Sequence, residues 1–202
     1  MTLVSIDFET ANRYRFSPCA IGIVTANEQG VVDEFYSLIN PLTDFESHNI
    51  FVHGITERDV VDAPTFEELW PTIEPYLKNN IIIAHNASFD MSVLRASLDR
   101  FELTYPELEY LCSVQISKQA WPGLPNYKLN SLADFIGFQF EHHHALEDSR
   151  VVVHLLLKAM RDHNVSDLRE LIALLQISCG RVFERNYITP KLKRTKQKKM
   201  RT

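Results

Sequence analysis

An α/β fold, with a mixed central sheet and helices on both faces, follows from three features of the sequence. The first third reads as three consecutive strands joined by short connections, which makes neighbours antiparallel. The middle alternates apolar runs with segments of helical periodicity, the pattern of strands covered by helices. A long amphipathic segment over residues 145–162 adds a further covering helix.

Each element has its own signal. Thr2 to Phe8 places Val4, Ile6 and Phe8 on one face of a strand. Ala20 to Ala26 and Val31 to Ile39 flank the turn Asn27-Glu28-Gln29-Gly30 and form a hairpin-like pair. Thr65-Phe66-Glu67-Glu68 matches a capping box and opens a helix towards Leu77. Pro71 and Pro75 lack amide donors, so that helix is expected to be short or kinked. Asn80 to His85 is a short apolar run of the kind found in buried central strands. A helix over Ser88 to Phe101 and a strand over Leu108 to Val114 follow. Trp121-Pro122-Gly123-Leu124-Pro125-Asn126 is a loop by its Pro and Gly content. Ser131 to Phe135 suggests a short helix. In the long helix Ala145 to Asp162, the polar residues Glu147, Arg150, His154, Lys158 and Arg161 recur every three or four positions. A last helix is expected over Ser166 to Gln176.

The 202 residues, 45% apolar and 23% charged, suit one domain with a full core. No apolar run approaches the roughly 20 residues that span a bilayer. The start, Met1 to Asp7, lacks the basic and apolar regions of a secretory signal, so a cytoplasmic protein without membrane contact is the expectation. Cys19, Cys112 and Cys179 show neither zinc spacing nor a disulfide framework. Residues 181–202 hold nine Lys and Arg against Glu184, leaving 12 basic and 25 acidic side chains before them. An acidic body argues against broad affinity for nucleic acid. Residues 178–202 are expected to form a basic, disordered tail.

Four acidic residues carry the chemistry. Asp7 and Glu9 are two apart on a strand, so they leave one face roughly 7 Å apart at the backbone. Asp90 follows the apolar strand and falls in the first turn of the next helix, where the helix dipole favours a carboxylate. Asp148 shares a helical row with Val152, Leu155 and Ala159, and that row offers no Lys or Arg partner. Carboxylates in apolar surroundings point to hard divalent cations, and a pair of such ions suits phosphodiester hydrolysis. His142, His143 and His144 precede Asp148, and a histidine is the natural general base near neutral pH. His144, four residues before Asp148, would share its helical face, so the residues alone leave the choice of base open.

In order and context, Ser5-Ile6-Asp7-Phe8-Glu9-Thr10, His85-Asn86-Ala87-Ser88-Phe89-Asp90 and His143-His144-Ala145-Leu146-Glu147-Asp148 resemble the motifs of the DnaQ-like (DEDDh) 3′→5′ exonucleases. That family includes the proofreading subunit of the bacterial replicative polymerase. The resemblance runs from about Leu3 to Met160 and includes Val52-His53-Gly54-Ile55-Thr56 and Asp62-Ala63-Pro64-Thr65-Phe66. It implies a ribonuclease-H-like fold with the first strand central, and an exonuclease domain over residues 1–177. It also implies two Mg²⁺ or Mn²⁺ ions held by Asp7, Glu9, Asp90 and Asp148, with Glu9 and His143 catalytic. By the same resemblance, Thr10 offers its backbone to the 3′-hydroxyl and His53 lies beside the scissile end. Asn86 orders its loop, and Phe89 packs near the terminal nucleotide. The implied reaction releases nucleoside 5′-monophosphates from single-stranded or mismatched DNA 3′ ends. RNA trimming is the nearest alternative. A catalytically inactive docking module and a metal-dependent phosphatase are more distant ones. A single-stranded 3′ end is the expected partner, with a DNA polymerase as a further one.

Overall fold

The computed structural model describes residues 2–193. Its elements, in chain order, are β1 (Leu3–Thr10), β2 (Pro18–Asn27), β3 (Gly30–Leu38), α1 (Ser47–His53), α2 (Glu57–Val60), α3 (Phe66–Leu77), β4 (Ile81–Ala84) and α4 (Ser88–Arg100). There follow β5 (Leu108–Cys112), α5 (Ser113–Ala120), α6 (Leu129–Ile136), α7 (Ala145–Asp162), α8 (Leu168–Leu174), β6 (Ile177–Ser178), β7 (Gly180–Phe183), β8 (Asn186–Ile188) and β9 (Lys191–Leu192). Seven strands form one sheet in the order β3-β2-β1-β4-β5-β7-β8. β1 pairs antiparallel with β2 and parallel with β4, and β4 pairs parallel with β5, so the sheet is mixed as expected.

Alternation along the strands divides the core in two. Val4, Ile6 and Phe8 pack with Phe66, Trp70 and Ile73 of α3 and Val93 and Leu94 of α4. Leu3, Val24, Ile83 and Leu111 pack on the other face with Val152, Leu155 and Ala159 of α7. Helices therefore cover both faces. The capping box of α3 forms, with Thr65 and Glu68 exchanging side-chain-to-backbone hydrogen bonds. Pro71 and Pro75 lie inside this helix without shortening it. Both are exposed, so the carbonyls they leave without amide partners can turn to water.

Three expectations need correction. Ser113 and Val114 open α5 rather than prolonging β5, because β4 ends at Ala84, which pairs with Cys112, and gives β5 no further partner on that side. The last helix is shorter than expected and starts after Asp167, whose side chain accepts from the Glu170 amide. The domain boundary expected at 177 falls inside β6. Beyond it, β7 pairs with β5, β8 pairs with β7, and β9 pairs with β6. Gly180 permits this extension, since a Cβ there would lie 2.6 Å from Ile188 O, Pro190 Cδ and Tyr110 Cε1. The remainder of the expected tail, residues 194–202, lies outside the described residues. No helix among the described residues is long and apolar enough to cross a membrane.

Gly22 on β2 sets the position of α7. It lies opposite Asp7 in the β1–β2 ladder, and a Cβ there would sit 2.3 Å from Ala145 C and O and from Leu146 N. Ser149 Oγ donates to Gly22 O at 3.0 Å, and the Arg150 guanidinium grips Glu34 of β3. The first turn of α7 is thereby seated directly over the sheet beside Asp7. Gly22→Ala should lower stability by about 1–3 kcal/mol, the usual cost of overpacking, and displace Asp148. Urea unfolding checks this, and an unchanged midpoint would contradict the close seating of α7.

Candidate active site

A divergence between two strands creates the site. β4 pairs with β1 only at Val4 and Ser5, so β1 has no strand partner on that side further along. Asp90, in the first turn of α4, fills the gap: its Oδ1 accepts the Phe8 amide at 3.1 Å. Asp7 and Glu9 leave β1 on the face that α7 covers. Asp148 reaches them from the first turn of α7, and ligand oxygens of Asp7, Glu9 and Asp148 lie within 4.8 Å of one another. Asp90 and Asp148 are buried and Asp7 is half-buried. These groups open on a cleft of about 950 Å³.

Electrostatics make this arrangement costly as it stands. Burial, then repulsion from Asp90, Asp148 and Glu9, pushes the Asp7 carboxyl far above the usual carboxylate range. Burial and the neighbouring Asp148 and Asp90 raise Glu9 to about 8. Asp90 is raised to about 7 by burial, although the Phe8 amide and the charge of Arg15 act in the opposite sense. Burial raises Asp148 too, against the opposing influence of His142. Among the described residues, no Lys or Arg forms an ion pair with any of the four. Asp90 Oδ2 is buried with no hydrogen-bond partner. An all-oxygen cluster with an orphaned carboxylate oxygen fits hard divalent cations.

The three histidines take different places. His142 Nδ1 lies 3.3 Å from Asp148 Oδ1, and its ring stacks on His143 at 3.8 Å between centroids. Both rings line the cleft. His143 has a left-handed φ of +68°, and burial, then His142 and His53, lowers its pKa. His144 is absent from the cleft lining; its ring stacks on Tyr36 at 4.6 Å. His144 does not share the Asp148 face, for a local reason. His144 is the N-cap of α7, extended at φ −105° and ψ 110°, so it does not project along the Asp148 row.

The other residues singled out from the sequence fall into two groups. Asn86 and Phe89 line the cleft, and Asn86, at φ +59°, turns the chain so that its carbonyl accepts the Phe89 amide at 2.9 Å. Thr10 and His53 are joined at the end of β1, outside that lining. Ile55 N donates to His53 Nδ1 at 3.1 Å, so His53 Nε2 carries the proton and donates to Thr10 O at 3.1 Å. Asn49 Nδ2 donates to the same oxygen at 2.8 Å. Sequence reasoning missed Asn49, and it also missed His85, Lys118, Tyr127 and Lys128, which line the cleft. His85 stands 2.8 Å from Ser113 Oγ, and burial, then His142, lowers its pKa to about 4. Its place beside Asn86 was the one available signal.

Comparison with known proteins agrees with this geometry. Residues 4–156 match the family model RNase_T, described as exonuclease. A PolC-type DNA polymerase III from Caldanaerobacter subterraneus subsp. tengcongensis is 33% identical over 141 residues, 69% of this chain. The chain spans only about 10% of that polymerase. Exonuclease X, solved with 5′-overhanging duplex DNA, superposes with a TM-score of 0.70 at 26% identity, covering 86% of this chain and 98% of its own. The nuclease domain of 3′hExo, a DEDDh family member bound to rAMP, shares the fold with a TM-score of 0.68 at 18% identity. That match covers 80% of this chain and 92% of the 3′hExo domain. Since the family match over residues 4–156 takes in nearly all of β1, all of α4 and the first turn of α7, the chain belongs to the RNase_T exonuclease family.

Proposed function

We propose that the chain is a divalent-metal-dependent 3′→5′ exonuclease that hydrolyses the last phosphodiester of single-stranded or mismatched DNA 3′ ends and releases nucleoside 5′-monophosphates. The observation that carries this reading is the convergence of four carboxylates from β1, α4 and α7 on one open cleft. Asp7, Glu9, Asp90 and Asp148 would hold two Mg²⁺ or Mn²⁺ ions. Such ions, when bound, offset the carboxylate charge and stabilise the attacking and leaving oxygens.

The remaining steps belong to the chain's own side chains. His143, whose lowered pKa keeps it neutral, accepts a proton from the attacking water. The water oxygen bonds to phosphorus as the P–O3′ bond breaks, and the departing oxygen takes a proton from solvent water to become a new 3′-hydroxyl. Glu9, beside both Asp7 and Asp148, orients the attacking water as well as serving as a ligand. Asn49 and His53 fix the backbone at Thr10, which meets the terminal 3′-hydroxyl. Asn86 shapes the turn that presents Phe89 to the terminal sugar and base.

A DNA polymerase is a proposed partner, because the PolC-type relative carries the matching stretch as a small part of a polymerase. RNA is the second substrate to test, because the 3′hExo neighbour was solved with rAMP.

A 5′-labelled DNA strand should give a descending ladder and mononucleotides in Mg²⁺ or Mn²⁺, with an RNA strand run alongside. Shortening from the 5′ end, or undiminished activity in EDTA, would sink the proposal.

The histidines separate by turnover. His143→Ala should lower kcat on the order of 10²-fold or more, the usual scale for a general base. His142→Ala and His144→Ala should stay within about tenfold of the parent, below that scale. A crippled His144→Ala beside a mild His143→Ala would overturn the assignment.

A further inference from the structure

The connection between β1 and β2 has a feature that the exonuclease chemistry does not use. Ala11, Asn12 and Ser17 are buried, whereas the tip Arg13-Tyr14-Arg15-Phe16 is exposed, with Tyr14 at 50% and Phe16 at 38%. The two rings stack on each other at 5.3 Å and 9°, forming a flat apolar slab in water. A cation accompanies each ring. Arg13 lies 5.3 Å over Tyr14, and Arg100 lies 5.3 Å over Phe16. Arg15 lies 4.3 Å over Phe89, whose ring lines the catalytic cleft.

The loop holds this display rigidly. Ala11 N donates to Ser17 O at 2.8 Å, Tyr14 N to Asn12 Oδ1 at 2.9 Å, and Asn12 Nδ2 to Asp44 O at 2.7 Å. Arg100 Nη1 donates to Phe16 O at 2.9 Å. Arg13 is partly matched by Glu46 at 3.5 Å, and Asp99 is the acidic group in the groove beside Phe16. Arg15 has no ion-pair partner among the described residues. Phe89 and Arg100 occupy the first and last turns of α4, about 16 Å apart along its axis. The rings and cations therefore run as a track from the cleft along the outside of that helix.

We propose that Arg13, Tyr14, Arg15 and Phe16 form a binding platform for the unpaired strand whose 3′ end occupies the cleft, its bases replacing the guanidiniums on the outer faces of the Tyr14–Phe16 stack and Arg13 and Arg15 turning to its phosphates. The inference rests on the exonuclease reading. Charge complementarity selects this occupant: a polyanion suits two arginines raised on an otherwise acidic body. Aromatic faces accept any base, so the platform holds a strand without reading its sequence.

The test uses the full-length protein, a 12-nucleotide thymidylate strand and the p-nitrophenyl ester of thymidine 5′-monophosphate, which carries one base. The Tyr14→Ala/Phe16→Ala double variant should raise KM for the strand on the order of tenfold, leaving kcat and ester hydrolysis unchanged. Tyr14→Phe with Phe16→Tyr should restore KM. Arg13→Gln with Arg15→Gln should reduce the salt slope of strand binding by roughly 1.4, about 0.7 per lost phosphate contact. Equal losses on strand and ester would make the loop part of the cleft's architecture and overturn the platform. An unchanged strand KM and salt slope would also overturn it and leave a protein partner as the better occupant. If the parent protein turns over neither substrate, the exonuclease reading fails separately. Fluorescence anisotropy of the labelled strand in Ca²⁺ then decides the platform by the same tenfold criterion.

Discussion

The burial of four carboxylates together in one poorly solvated cleft, where they also repel one another, is the constraint on which the rest of the structure depends. Asp7, Glu9, Asp90 and Asp148 all have raised pKa values, with burial the leading cause in each case. Side chains so placed would ordinarily be matched by Lys or Arg or replaced by apolar residues. Here the neighbours are amides, histidines and more carboxylates, and the charge of Arg15 acts on Asp90 without forming an ion pair. The fold thus spends stability to keep a cluster of oxygen ligands poised, which makes sense if divalent cations complete it.

Two backbone devices impose that arrangement. The parting of β4 from β1 after Ser5 opens a slot through which Asp90 reaches the Phe8 amide from the opposite side of the sheet. The absence of a side chain at Gly22 lets α7 settle against β2, which brings Asp148 over Asp7. Each device is a matter of close approach rather than of flexibility. A rigid frame is what keeps like charges together, since a looser one would let them separate into water.

Much of this was legible in the sequence because it is local. The strand carrying Asp7 and Glu9, the hairpin after it, and α3, α4 and α7 all follow from periodicity, turn residues or caps. Asp148 announced itself as a charge on an apolar helical row. Other features depend on distant contacts. α1 buries none of its residues, and Asn49 and His53 hold it to the Thr10 carbonyl, a contact between distant segments. The strands after residue 177 read as a basic tail because they are short and because their partners lie far back in the chain. The two histidines at the cleft could not be distinguished from His144 by spacing. Their backbone leaves the helix, and His143 adopts a left-handed φ. The stacked tip between β1 and β2 carries no such signal, because its four residues form no periodic element.

Without cations the site is strained by the charge it buries, and thermal unfolding against pH tests this most directly. Glu9 and Asp90 titrate near 8 and 7 in the folded protein, above the usual carboxylate values that they recover on unfolding. The folded state therefore holds extra protons, and stability is lost as pH rises through the folded values, by about 1.4 kcal/mol per pH unit for each such proton. Histidines whose pKa is lowered by burial act oppositely, but only below about pH 6.5, the ordinary histidine value. In EDTA, Tm should fall between pH 6.5 and 8.5, Asp7→Asn should flatten that fall, and Mn²⁺ should raise Tm more at pH 8.5 than at 6.5. A Tm in EDTA that holds or rises over this interval, unaltered by Asp7→Asn and by Mn²⁺, would contradict the account.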